Sequence, residues 1–254
     1  MKIFKPSYQQ RPMGKRASAH IAFLTILACI GLLTFLTVGA HAQTYSAVTD
    51  FSTETNTDTS PWSYRYNNTG TRDGNYTLLP YVEPSSPQWY DQGKKVAVFS
   101  WFPQPKNTYC PCIEANKSTS PLTANYGHGP IVLPSLSILE HPSTSSPVGD
   151  TVLSFLVPKK GKVTVTYSFT DIDPYGGNGI NWYVDLNSGV GDLYSGTVHS
   201  TAGRIDSSGQ RHFEVEVVKG DKLNFVIDSN GDFGYDSTAV RATVVYQADK
   251  STIH

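Results

Sequence analysis

The clearest order in the chain is a two-residue alternation of apolar and polar side chains between Thr151 and Gln247. Val163, Val165, Tyr167 and Phe169 alternate with Thr164, Thr166, Ser168 and Thr170. Successive side chains of a strand point to opposite faces, so this pattern predicts a strand with one buried face. The same period recurs in Ile180, Trp182, Val184 and Leu186, in Phe213, Val215 and Val217, and in Leu223, Phe225 and Ile227. Leu153, Phe155 and Val157 form another such face, and Val240, Ala242, Val244 and Tyr246 complete the set. Turn residues such as Lys219-Gly220-Asp221 separate the strands.

Upstream the pattern is less regular. Trp62–Tyr66 alternates aromatic with polar, and Tyr76–Leu79 and Val96–Trp101 read as further strands. A first edge strand is expected within Gln43–Asp58, and Leu136 and Ile138 alternate towards Glu140. Pro80–Gly93 reads as a loop carrying Trp89 and Tyr90, and Pro103–Pro134, with six prolines, as one long connection. No window beyond residue 42 holds a 3.6-residue period. Short strands with turns every ten or so residues predict an all-β antiparallel sandwich or barrel, one domain over residues 43–250.

The first 42 residues differ in kind. Lys15-Arg16, the apolar run Ile21–Ala40 and the A-x-A end at Ala40-His41-Ala42 are the three parts of a secretory signal peptide, cleaved after Ala42. Its apolar run, residues 21–40, is long enough that a membrane anchor is the alternative. Removing the leader changes the charge picture. The whole chain carries a formal −1, but residues 43–254 hold 15 basic against 21 acidic side chains, a net of −6. Nucleic-acid partners need a basic footprint and are set aside.

Candidate chemistry is sparse. There is no G-x-S-x-G and no H-E-x-x-H. Glu214 and Glu216 share a strand face about 7 Å apart, within the range of a glycosidase pair, but the strand reads as an ordinary solvated face. Cys110 and Cys112 read as a loop pair, oxidised or free, or as half of a metal site that lacks further ligands. The loop after Ile227 offers oxygen ligands at Asp228, Asn230, Asp232 and Asp236, which Asp171 and Asp173 could complete. Such a set is one reading, with Ca²⁺ as the cofactor; a plain β-turn and a strand terminus are the other. Among the tryptophans, Trp62 and Trp182 sit in alternating strands and read as core. Trp89 with Tyr90, and Trp101 at a strand end, adjoin loops and are the candidate aromatic platforms for a sugar.

With these strands placed, several segments together carry a family resemblance: Asp50–Ser52 with Trp62–Tyr64, Leu139–Pro142, Phe169–Asp173, Gly179–Val184, Gly220-Asp221 and Phe233–Thr238. They resemble the secreted jelly-roll module of exported bacterial proteins, some of which carry PEP-CTERM sorting tails. Such modules are similar to carbohydrate-binding jelly rolls appended to polysaccharide-degrading enzymes. The last residues, Ser251–His254, do not read as a sorting tail, and no stretch of these 254 residues reads as a catalytic domain. The resemblance implies a jelly-roll sandwich, non-catalytic, binding an extracellular polysaccharide or cell-surface polymer. The alternatives are a structural or adhesive surface protein without a glycan ligand, and a polysaccharide lyase or hydrolase.

Overall fold

The computed structural model describes residues 42–247 except 70–71, 73, 86–87, 106–109, 145–148 and 188–190. The expected signal segment, all but Ala42, and residues 248–254 lie outside the described residues.

The described residues form strands and turns and no helix. In chain order the strands are β1 (Thr44–Ser46), β2 (Trp62–Tyr66), β3 (Thr77–Leu78), β4 (Tyr81–Pro84), β5 (Trp89–Asp91), β6 (Lys94–Val96) and β7 (Phe99–Phe102). Next come β8 (Cys112–Asn116), β9 (Leu122–Asn125), β10 (Pro130–Leu133), β11 (Ser137–His141), β12 (Thr151–Leu156) and β13 (Gly161–Asp171). The last are β14 (Ile180–Leu186), β15 (Asp192–Val198), β16 (Asp206–Ser207), β17 (Arg211–Val217), β18 (Lys222–Asp228) and β19 (Thr238–Tyr246).

Two large antiparallel sheets face each other. One runs β15-β14-β18-β12-β2-β3; the other runs β16-β13-β19-β11-β8-β7-β4, with β17 also on β13 and β1 on β19. The backbone of the second is the β13–β19 pair, in register from Val163↔Tyr246 to Asp171↔Thr238. From β11 onwards the chain repeatedly crosses between the two, at β11–β12, β12–β13, β13–β14, β15–β16, β17–β18 and β18–β19, as a jelly roll does.

The alternating residues do what their period predicts. Val163, Val165, Tyr167, Phe169, Val240 and Val244 meet Leu153, Phe155, Trp182, Val184 and Phe225 in one core. Phe169 stacks on Trp182 with centroids 5.1 Å apart and 15° between planes. Each large side chain so buried contributes roughly 1.5–3 kcal/mol.

A third layer was hidden from the periodicity. In β11, Ile138 joins the main core, but its neighbour Leu139 packs with Trp89, Leu122, Ile131 and Ala239 in a second cluster on the far side of the sheet. Consecutive apolar residues in one strand are what burial on both faces requires. The roof of that second cluster is a four-stranded sheet, β10-β9-β5-β6. Three of its strands, β5, β9 and β10, lie inside Pro80–Gly93 and Pro103–Pro134, which the sequence presents as loop, and β6 lies just beyond the first. They are three or four residues long, too short for alternation to stand out among prolines. The expected edge strand in 43–58 shrinks to β1, because a turn follows at once, closed by the Asp50 amide on the Ser46 carbonyl and by the Ser46 amide on Asp50 Oδ2. Leu136 leaves its expected face, adopting φ +50° just before β11.

Candidate functional site

Strand direction decides what the aromatic candidates can do. In β5, Trp89 points into the second cluster and is 1% exposed, whereas Tyr90, one residue on, points outward and is 39% exposed. The Trp89 indole N–H donates to Glu114 Oε1 at 2.9 Å and lies 3.1 Å from Ser85 Oγ. Trp101 is also buried, at 4%. Its ring stacks on Tyr64 at 5.8 Å and its N–H donates to the Ser52 carbonyl at 2.8 Å. Neither ring presents an open face, so Trp89 and Trp101 are structural and not sugar platforms. Tyr90 alone of the three remains available, opposite Lys95 and beside Thr123 on the outer face of the small sheet.

The sequence misses a better aromatic. Val96–Trp101 reads as one strand, but β6 ends at Val96 and β7 begins at Phe99, so the chain passes here from the small sheet to the large one. At that passage Phe99 is turned outward and is 42% exposed. A cleft of about 300 Å³ opens on one side, lined by Phe51, Asp91, Val96, Asn116, Lys117 and Phe99. A second of about 380 Å³ opens on the other, lined by Pro84, Gln88, Lys95, Val96 and Phe99. Residues 96–99 line both, so the ring stands on a ridge between two adjoining hollows.

The polar groups of these clefts are held in place by their own bonds. Asp91 Oδ1 accepts from Ser120 Oγ at 2.9 Å. The Asn116 amide donates to the Ser120, Leu133 and Pro134 carbonyls, and Lys117 Nζ to the Phe51 carbonyl at 3.1 Å. Gln88 Nε2 donates to the Trp89 and Val96 carbonyls. A single sequence carries no signal that would pick out Phe99, because its parity within an apolar run looks like core.

The acidic candidates divide. Asp228 Oδ1 accepts the Asn230 amide at 2.6 Å and Asp232 Oδ1 the Gly234 amide at 3.0 Å, the side-chain-to-backbone bonds of ordinary turns. Asn230 is bound to Asn178 and Asn181. Asp171, Asp173 and Asp236 lie inside. Asp171 accepts the Asp173 and Ser200 amides at 3.0 and 2.7 Å, and Asp173 faces His128 Nε2 at 3.3 Å. Among the described residues no three His, Cys, Asp or Glu side chains are arranged to hold a metal ion. Ca²⁺ takes six to eight converging oxygens; of this set Asp171, Asp228 and Asp232 already accept backbone amides, and Asn230 is bound to Asn178 and Asn181.

What stands there instead is a row of buried acids. Glu140, Thr238 and Asp171 are register partners across β11, β19 and β13, and all three are buried. Both carboxylate oxygens of Glu140 and of Asp236 are buried without a hydrogen-bond partner among the described residues. Burial penalises the charged form and pushes Glu140 and Asp236 each up to about 8, and Asp171 up to about 6. At neutral pH the first two are therefore mainly protonated.

The paired carboxylates of β17 are not built for acid catalysis. The hydrogen bond and charge of Lys162, 2.5 Å away, hold Glu214 below its usual range, the opposite of what a general acid needs.

No family model matches the chain, and no curated sequence matches it. Solved structures give partial likenesses. The cleaved adhesin domain of Lys-gingipain from Porphyromonas gingivalis is 13% identical with a TM-score of 0.31, over 44% of this chain and 74% of that one. CBM51 from Clostridium perfringens GH95, solved with methyl-galactose, is 14% identical with a TM-score of 0.29, over 50% and 80%. The C-terminal CBM6 of a laminarinase from Zobellia galactanivorans is 15% identical with a TM-score of 0.25, over 43% and 88%.

Proposed function

We propose that the chain is an exported, non-catalytic sandwich that binds an extracellular polysaccharide across the Phe99 ridge. The observation that carries this reading is an exposed aromatic ring between two adjoining clefts whose rims hold Asp91, Lys117, Gln88 and Lys95. A pyranose has an apolar C–H face and a belt of hydroxyls. An aromatic face takes the first and fixed polar groups take the second. Two hollows on either side of one ring suit consecutive sugars of a polymer rather than a single compact molecule. The net charge of −6 over residues 43–254 favours a neutral polymer over a polyanion.

Affinity electrophoresis in gels containing neutral glucans, galactans or xylans tests the reading. Retardation of the wild-type protein is expected, and Phe99→Ala is expected to weaken it about tenfold, some 1.4 kcal/mol, with an unchanged melt. Equal retardation of the variant overturns the assignment of the ridge. Export is tested separately: mature protein is expected to begin at Gln43, and N-terminal sequencing that finds another start refutes cleavage after Ala42.

A further inference from the structure

Outside the ridge, the start of β8 brings together two sulfurs and an imidazole. Cys110 and Cys112 are free and half-buried, with Sγ atoms 4.0 Å apart. Cys112 is the register partner of His141 across β8 and β11, and Cys110 acts on the same ring through its charge. His141 Nδ1 lies 2.9 Å from the Pro142 carbonyl oxygen. A carbonyl only accepts, so Nδ1 carries the hydrogen and Nε2 is the nitrogen left to exchange a proton with a thiol.

The two sulfurs are not equivalent. Burial opposes a thiolate at Cys110, but the hydrogen bond from Cys112 and the charge of His141 outweigh it and draw Cys110 down. The hydrogen bond to Cys110, burial, and the carboxyl groups of Glu114 and Glu140 hold Cys112 well above the ordinary thiol range. One thiol is thus prepared to attack, and its neighbour waits protonated within reach.

We infer that Cys110 and Cys112 form a thiol–disulfide exchange site for low-molecular-weight disulfides, with Cys110 attacking and Cys112 resolving. The Cys110 thiolate attacks one sulfur of R–S–S–R; that bond breaks, and the first RS⁻ leaves with the proton held on His141. Cys112 then passes its proton to His141 Nε2 and attacks Cys110 Sγ. The mixed disulfide breaks, and the second RS⁻ departs with that proton. The protein dithiol loses two electrons and two protons, and the small disulfide becomes two thiols. The sulfurs must close from 4.0 Å to about 2.0 Å across a single intervening residue. A bond so constrained is readily reopened by thiols, which suits exchange rather than permanent stapling.

Oxidised glutathione is the probe. The folded protein is incubated with it at neutral pH, quenched with acid, digested with trypsin and weighed. Cleavage after Lys106 and Lys117 puts both cysteines on one peptide, free of Cys29. The wild-type peptide is expected to lose two hydrogens and keep no glutathione, and to regain them in reduced glutathione. Cys112→Ser is expected to retain one glutathione on Cys110, and Cys110→Ser to react about tenfold more slowly than Cys112→Ser. A wild-type peptide that keeps both thiols, or that ends carrying glutathione, overturns the inference. So does equal reactivity of the two variants. The wild-type result needs no substitution and stands even if a variant folds poorly.

Discussion

Trp89→Ala is expected to destabilise the protein by about 3–5 kcal/mol, a loss typical of removing a buried tryptophan. The side chain fills the cluster between the large sheet and the small one, against Leu122, Ile131, Leu139 and Ala239. Its N–H also serves Glu114, a buried carboxyl whose other oxygen is held by Ser100. Truncation therefore leaves a cavity and takes away one of the bonds that make Glu114 tolerable there. For a domain of this size each kcal/mol lowers the melting midpoint by about 2–4 °C, so a fall on the order of 10 °C is expected in a thermal scan. Glu114→Gln in the same background is expected to recover part of it, because a neutral amide is cheaper to bury. An unchanged midpoint for Trp89→Ala means that the small sheet does not pack on the large one through this ring. The contrast with Phe99→Ala, which should affect binding and leave the melt alone, separates a roof beam from a platform.

The second large effect is on pH. Glu140 and Asp236, each pushed by burial to about 8, take up protons on folding across the range between their ordinary values and pH 8. Their folded values are raised, so the stability they contribute is full below about pH 4 and is lost as pH rises through 8. His141 and Cys110 nearly cancel: burial would lower His141 but the charge of Cys110 carries it up to about 9, while Cys110 is drawn down to about 6 and opposes it over the same interval. Stability is therefore expected to fall steadily from pH 5 to pH 8.5, at up to about 1.4 kcal/mol per unit for each group titrating. Asp58, held low by the hydrogen bond and charge of Arg65, acts in more acidic solution, below this interval. Melts across that interval, with Glu140→Gln and Asp236→Asn alongside, test the reading. Both variants are expected to flatten the curve and to be more stable than the parent at pH 8. A midpoint that climbs with pH contradicts it.

The two large sheets were legible because their strands are long and one-sided. Val163–Thr170 shows four full alternations, and nothing competes with them. The small sheet was not legible, because β5, β9 and β10 hold three or four residues each and sit between prolines. That loss propagated to the site. Reading Pro80–Gly93 as loop makes Trp89 look available, whereas a strand at β5 turns it inward and its neighbour Tyr90 outward. Phe99 suffers the converse: inside an apparent strand it reads as core, and only the passage from β6 to β7 exposes it. The acidic residues were visible, but spacing alone could not separate Asp228 and Asp232, tied to their own turns, from Asp236, which is buried. Glu140 carried no mark, since burial of a carboxyl on a core-facing row depends on its partners Thr238 and Ile113 across the sheet.

The most direct test of the central claim is a polysaccharide array probed with the folded wild-type protein, Phe99→Ala and Tyr90→Ala. Retention on one or more neutral polymers is expected, lost in Phe99→Ala and kept in Tyr90→Ala. Wild-type protein retained by no polymer, or retained equally after Phe99→Ala, contradicts the claim that this sandwich grips a glycan at its Phe99 ridge.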